Sequence, residues 1–147
     1  MPDFIDQGYP VDFVFLDFQK AFDKVPYERL LLKIRALGIE GNVADWVKEW
    51  LSDRKQRVVI HGKFSSSTGV TSGVSQGSVL EPILFVMFIN DIEEGMCRNL
   101  LKFADDTKLT FCKVGTNEDC SSLKSDLRLL YKWSVDWQML FNYALWL

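Results

Sequence analysis

Positive charge is not in excess in this sequence. Lys and Arg number 17 against 20 Asp and Glu, a net charge of −3. That balance argues mildly against a polyanion binder, whose footprint is usually basic, though the objection weakens where the acids are metal ligands. Histidine is nearly absent: His61 stands alone, far in sequence from the three cysteines, Cys97, Cys112 and Cys120. Three cysteines fit no framework of paired disulfides, and this spacing disfavours zinc, so a reducing compartment is expected. Long apolar runs are missing too. The longest, residues 83–89, is too short to span a bilayer. No basic region precedes an apolar one at the acidic N-terminus, so no signal peptide is read. The expected location is intracellular, the nucleus included, with no membrane partner.

What is present is a globular composition, 48% hydrophobic and 25% charged over 147 residues, enough for one domain with a real core. Residues 1–10 read as an irregular lead-in, 11–142 as the domain and 143–147 as an apolar tail. Residues 11–18, rich in Val and Phe, predict a buried strand interrupted by Asp17. Pro26 can open a helix on which Leu30, Ile34 and Leu37 recur, with Gly38 as its stop. Asn42 is the expected cap of a second helix, striped by Val43, Trp46, Val47, Trp50 and Leu51. A short strand over 57–60, a turn at Gly62-Lys63 and a polar returning strand follow. Gly69, Gly73 and Gly77 mark a loop. Ser78 and Glu81 can form a capping box for an apolar, central helix reaching Ile92. Strands over 100–104 and 107–112 flank Asp105-Asp106. Thr116, with Asp119, can cap a last helix that carries Leu123, Leu127, Leu130 and Trp137 on one side. This order predicts an α+β fold, an antiparallel sheet covered by helices on one face.

Two groups of acids interrupt apolar strands. Asp17 lies within Val14-Phe15-Leu16-Asp17-Phe18, where burying a charge is costly. It either caps a strand end or binds metal. Asp105 and Asp106 are either a hairpin turn or carboxylates that meet Asp17 if their strands are neighbours. The chemical reason for such a meeting is phosphoryl transfer, in which two divalent ions about 3.5–4 Å apart activate one oxygen and neutralise another. Magnesium favours carboxylate and phosphate oxygens. The loop Gly73-Val74-Ser75-Gln76-Gly77-Ser78 precedes a helix N-terminus, a place that favours phosphate but equally a plain capping loop. Lys48, Arg54, Lys55, Arg57 and Lys63 form a basic cluster, either a set of phosphate contacts or an ordinary solvated surface.

Three ordered segments resemble the reverse transcriptases of non-LTR retrotransposons of the LINE or jockey-like kind. They are Phe15-Leu16-Asp17-Phe18-Gln19-Lys20-Ala21-Phe22-Asp23 with Val25-Pro26, then Gly73-Val74-Ser75-Gln76-Gly77-Ser78-Val79-Leu80-Glu81-Pro82 running to Phe88-Ile89-Asn90-Asp91, and Phe103-Ala104-Asp105-Asp106-Thr107. The stretch from Trp50 to Val58 and that from Trp133 to Asn142 also resemble the family. The resemblance implies an incomplete polymerase palm with a ferredoxin- or RRM-like core. It implies Asp17 and Asp105 as ligands of Mg2+ or Mn2+, with Asp106 as an adjacent, weaker catalytic acid. Phe22 would be the steric gate under the incoming sugar, and Gln76 and Gly77 would line the nucleotide pocket. The implied partners are an RNA template, a DNA primer and deoxynucleoside triphosphates. The implied reaction is RNA-directed extension of a DNA 3′ end. Lys20, Asp23, Asn90 and Asp91 also match, and are read as structural.

This sequence departs from the family pattern at Ser75, where the family has proline, and at Glu81, where it has glycine. Glu81 adds bulk and negative charge beside the nucleotide loop. The family's fingers region before the first motif, and its lysine-bearing segment and thumb after the last, find no counterpart here, so polymerase segments or another chain would have to supply them. Two readings follow. One is an RNA-directed DNA polymerase domain. The other is a truncated, non-catalytic mobile-element remnant that at most binds nucleic acid or protein. In either case this chain alone is expected to be inactive.

Overall fold

The computed structural model describes residues 7–52, 54–70, 72–73, 79–98, 100–103 and 106–142, with backbone only at 13, 101, 103 and 106–113. In chain order the elements are β1 (Val11–Asp17), α1 (Tyr27–Ala36), α2 (Gly41–Leu51), β2 (Lys55–Gln56), β3 (Val59–Ile60), β4 (Lys63–Phe64), β5 (Thr68–Gly69), α3 (Leu80–Phe88), β6 (Leu100–Phe103), β7 (Asp106–Lys113) and α4 (Asn117–Asp136). The chain forms two compact units, Met1–Gln19 with Ile89–Leu147, and Lys20–Phe88.

The first unit is built on an antiparallel sheet in the order β1-β7-β6. The β-branched and aromatic residues of β1 favour a pleated, half-buried surface, and alternation buries Leu16 while Phe15 stays exposed. Helix α4 packs on β7. Its N-cap is the expected capping box: Asp119 N–H donates to Thr116 Oγ1, and Thr116 N–H to Asp119 Oδ2, both at 3.1 Å. Leu123, Asp126, Leu130, Trp133 and Ser134 are the buried line. Trp133, not Trp137, is the tryptophan this face buries, because Trp137 is already the C-cap. Residues 139–142 then run back along β1. Gln19 N–H donates to the Leu140 carbonyl at 3.0 Å and Asn142 N–H to the Asp17 carbonyl at 2.7 Å. Phe18 stacks on Phe141 with centroids 4.8 Å apart. The architecture is α+β, a small open antiparallel sheet covered by helix, as the pattern of elements predicts.

In the second unit α1 packs against α2 and α3. Leu30, Ile34, Ala44, Val47, Leu51, Leu84, Phe85 and Phe88 are buried there. The buried line of α2 is Ala44, Val47 and Leu51, whereas Val43 and Trp46 are exposed. Its N-cap is Glu40, not Asn42, and caps without a side-chain hydrogen bond. Helix α3 stops at Phe88, short of Ile92, and Ile83 and Val86 are exposed on it. An all-apolar composition says what a helix can bury, not which face has a neighbour.

One physical reason for the end of α3 is Lys33. This lysine is buried and its ammonium donates to the Phe88 carbonyl at 2.6 Å, 4.9 Å from the Phe88 ring centroid. A cation at a helix C-terminus satisfies an orphan carbonyl and complements the dipole. Lys33→Met keeps most of the stem and removes that charged donor from the carbonyl. It is expected to cost about 1–3 kcal/mol, read as a lower urea midpoint at unchanged m-value. An unchanged midpoint would show that the carbonyl finds another donor.

Candidate functional site

In the first unit, Asp17 closes β1 at the point where the chain leaves the sheet. Its Cα partner across the ladder is Asp106, the first residue of β7. Facing residues of an antiparallel pair have Cα atoms about 4.5–5.5 Å apart. The backbone therefore brings the first acidic motif beside the third, on neighbouring antiparallel strands. Asp105 lies outside the described residues, and for Asp106 the backbone alone is described.

Asp17 is half-buried, and its carboxylate accepts from Asn142 Nδ2 at 3.3 Å. Asn142 thus grips Asp17 twice, by backbone and by side chain. A neutral amide orients a carboxylate without cancelling its charge, and that suits a ligand for a hard divalent cation. Among the described residues, no three of His, Cys, Asp and Glu gather closely enough to hold a metal. A metal at Asp17 would have to draw its further carboxylates from Asp105 and Asp106, whose side chains lie outside the described residues.

Away from the Asp17 end of the sheet, β6 is held at its start by Glu93. The carboxylate accepts from Leu100 N–H and from Lys102 Nζ, each at 3.1 Å. The Leu100 N–H, and then the Lys102 ammonium, hold the Glu93 carboxyl below its usual range against the opposing pull of burial. Asp91, read as structural, accepts from Trp133 Nε1 at 2.9 Å.

In the second unit, Phe22 is half-buried and its ring lies tilted against Phe85, centroids 4.9 Å apart. The segment after it is stitched to the start of the glycine loop. Gly73 N–H donates to the Val25 carbonyl at 3.1 Å, and Ser72 Oγ to the Asp23 carbonyl at 3.1 Å. Gly73 has φ +87, and a Cβ there would stand 2.7 Å from the Asp23 oxygen. Glycine is required twice over, by conformation and by space. Tyr27 Oη donates to the Ser72 carbonyl at 2.9 Å, and the Arg54 guanidinium donates to both Tyr27 Oη and the Gly73 carbonyl. Arg54 also lies over the rings of Tyr27 and Trp50. Gln76 and Gly77, the loop residues themselves, lie outside the described residues.

The basic cluster divides accordingly. Lys48, Lys55, Arg57 and Lys63 are exposed, whereas Arg54 is half-buried and engaged with the loop's entry. Sequence reasoning missed Tyr27 and Asn142 and took Arg54 for one of five surface charges. Nothing in local sequence tells a clamping arginine from a solvated one. Asn142 does fall in the late stretch that carries the resemblance.

An open antiparallel sheet under helices, with facing aspartates at the ends of neighbouring strands, is a palm-like core. This chain belongs to the family described as reverse transcriptase (RNA-dependent DNA polymerase), which matches residues 6–144. Within that family its relatives are enzymes of non-LTR retrotransposons. It is 31% identical over 140 residues to the probable RNA-directed DNA polymerase from transposon BS of Drosophila melanogaster, covering 88% of this chain and 15% of that protein. To the RNA-directed DNA polymerase from mobile element jockey of the same species it is 31% identical over 138 residues, 87% of this chain and 15% of the relative. To the Pol polyprotein from type-1 retrotransposable element R2 of Popillia japonica it is 30% identical over 86 residues, 58% of this chain and 14% of the relative.

Proposed function

We propose that this chain carries the carboxylate-bearing strands of an RNA-directed DNA polymerase palm, and that the 147-residue polypeptide by itself binds nucleic acid without polymerising. The observation that supports the first half is the register of Asp17 against Asp106 at the ends of two neighbouring antiparallel strands. In this reading Asp17 and Asp105, with Asp106 as a lesser partner, hold Mg2+ or Mn2+. The ions would supply charge neutralisation to nucleotidyl transfer. The chain's own part is to fix the carboxylates: the ladder sets their spacing and Asn142 sets the orientation of Asp17. Phe22 would exclude a 2′-hydroxyl, and Gln76 with Gly77 would line the nucleotide, as in the family the motifs resemble. The second half, binding without polymerisation, is supported by two things. The chain spans 15% of the length of the curated relatives it matches, and the described residues add no third ligand beside Asp17.

Manganese titration tests the metal site. The unaltered chain is expected to bind Mn2+ weakly, and an Asp17→Asn, Asp105→Asn double variant at least about tenfold more weakly, since the ion loses two of the three carboxylates assigned to it. Asp106→Asn alone should change affinity less. Equal affinities for the double variant and the unaltered chain would remove both residues from the site.

A further inference from the structure

The segment 55–69 is built unlike the rest of the second unit. It holds two short ribbons, β2 with β5 and β3 with β4, and every residue from 55 to 69 is exposed. The turn is tight, with His61 at φ 49 and Gly62 at φ 77, the two positive values that a two-residue hairpin of matching twist requires. It falls one residue earlier than the sequence suggests. Val58, Val59, Ile60 and Phe64 are each more than half exposed. An isolated two-stranded hairpin is marginal in water, so a ribbon with apolar side chains open on both faces is suited to being covered.

The charge around it says by what. From Arg54 to Leu80 the chain has no Asp or Glu, although its net charge is −3, and it carries Arg54, Lys55, Arg57 and Lys63 there. Val59 faces Phe64 across the ladder, and Ile60 faces Lys63. Arg57, two residues before Val59, shares the face of Val59 and Phe64. Its guanidinium lies over the Phe64 ring, 4.2 Å from the centroid. A protein partner would favour a core depleted of charge. An aromatic ring paired with arginine, among cations of one sign, is a platform for a base next to a phosphate.

We propose that the ribbon 55–69 is a grip for single-stranded nucleic acid. Phe64 and Arg57 offer the stacking surface for an unpaired base, and Lys55 and Lys63 hold neighbouring phosphates. Duplex would satisfy the cations but not the ring, because its bases are already stacked. This inference deepens the proposed nucleic-acid binding and rests on it, but not on the metal site.

Fluorescence anisotropy of a labelled oligo(U) RNA of about 20 nucleotides, against a duplex of equal length, tests it. The unaltered chain should prefer the single strand. Phe64→Leu, which keeps an exposed apolar side chain, should bind the single strand roughly tenfold more weakly, the loss of one stacked base, with duplex affinity unchanged. Phe64→Trp should retain binding. Lys63→Gln should flatten the slope of log K against log salt by about 0.7. Single-strand affinity of the unaltered chain should be the same in EDTA as in manganese, so a failed metal site and a failed grip are read separately. Absence of RNA binding, or a Phe64→Leu variant that binds both probes like the unaltered chain, would overturn the proposal. So would ribbon variants that change the sedimentation state and leave RNA affinity alone, which would make this face a protein interface.

Discussion

Asp126→Ala is expected to destabilise the sheet-bearing unit by about 3 kcal/mol, the low end of the cost of breaking a buried ion pair from one side, because Arg98 keeps other partners and is partly exposed. Asp126 is 1% exposed and sits mid-helix on the inward face of α4. One carboxylate oxygen accepts from Cys97 N–H at 2.9 Å and the other from Arg98 Nη1 at 3.0 Å. Arg98 also donates to Ser122 Oγ at 3.0 Å and to the Asp119 carbonyl at 3.1 Å. The alanine variant takes the counter-charge from a guanidinium still held by Ser122 and Asp119 and leaves the Cys97 N–H without this acceptor. The Cys97-Arg98 segment leads into β6, the strand that precedes Asp105-Asp106 in the chain. Urea denaturation should show a large fall in midpoint, and hydrogen exchange at the Cys97 amide should quicken. A second variant separates pairing from burial. Asp126→Leu with Arg98→Met removes both charges and should recover most of the loss, since an apolar pair of similar volume is often no worse than a buried ion pair. A double variant as unstable as Asp126→Ala would place the cost in the Cys97 hydrogen bond.

Nothing in the sequence singles out Asp126, one acid among many on a polar helix. Its neighbours explain what was legible and what was not. The helix over 117–136 announces itself by Thr116 with Asp119 and by 3.6-residue spacing, signals carried within a few residues. Asp126 acquires its role from Cys97 and Arg98, more than twenty residues away, and no local pattern encodes that. The same holds for the site. Asp17 stands out because a charge in an apolar strand is anomalous wherever it is, and the strand pairing of β1 with β7 follows from the same two apolar runs. Asn142 and Tyr27 became visible only when the chain doubled back, at 139–142 beside β1 and at 72–73 beside 23–27. Where a stripe of apolar residues was read too broadly, as on α2, the sequence offered more apolar surface than the fold covers. Val43 and Trp46 are the surplus.

Primer extension by the 147-residue polypeptide should be indistinguishable from that of its Asp105→Asn variant, with an RNA template, deoxynucleotides and manganese. Facing carboxylates supply only part of what polymerisation needs. Two metals stabilise charge, but the reacting groups must also be aligned, and a displacement of about 1 Å can cost roughly a hundredfold in rate. Alignment depends on a triphosphate held in place and a duplex that cannot slide. Glu81 opposes the first of these. It occupies the first turn of α3, where its carboxylate already complements the positive end of the helix dipole and so competes with an incoming phosphate for the same field. The second is opposed by charge. A net −3 chain whose exposed cations are scattered, with only Lys55, Arg57 and Lys63 gathered on the ribbon, can release few counterions, and affinity for a polyanion at physiological salt scales with that number. The expected result is therefore RNA bound, metal bound and no product above the control. Extension that the unaltered chain shows and Asp105→Asn lacks would overturn this, and would establish that the ladder, Asn142 and the ribbon suffice to align primer and nucleotide. Mixing in a separate polypeptide that supplies a duplex clamp should raise extension only if Asp17 and Asp105 are intact; a rise that persists in the Asp105→Asn variant would assign the chemistry to the added chain.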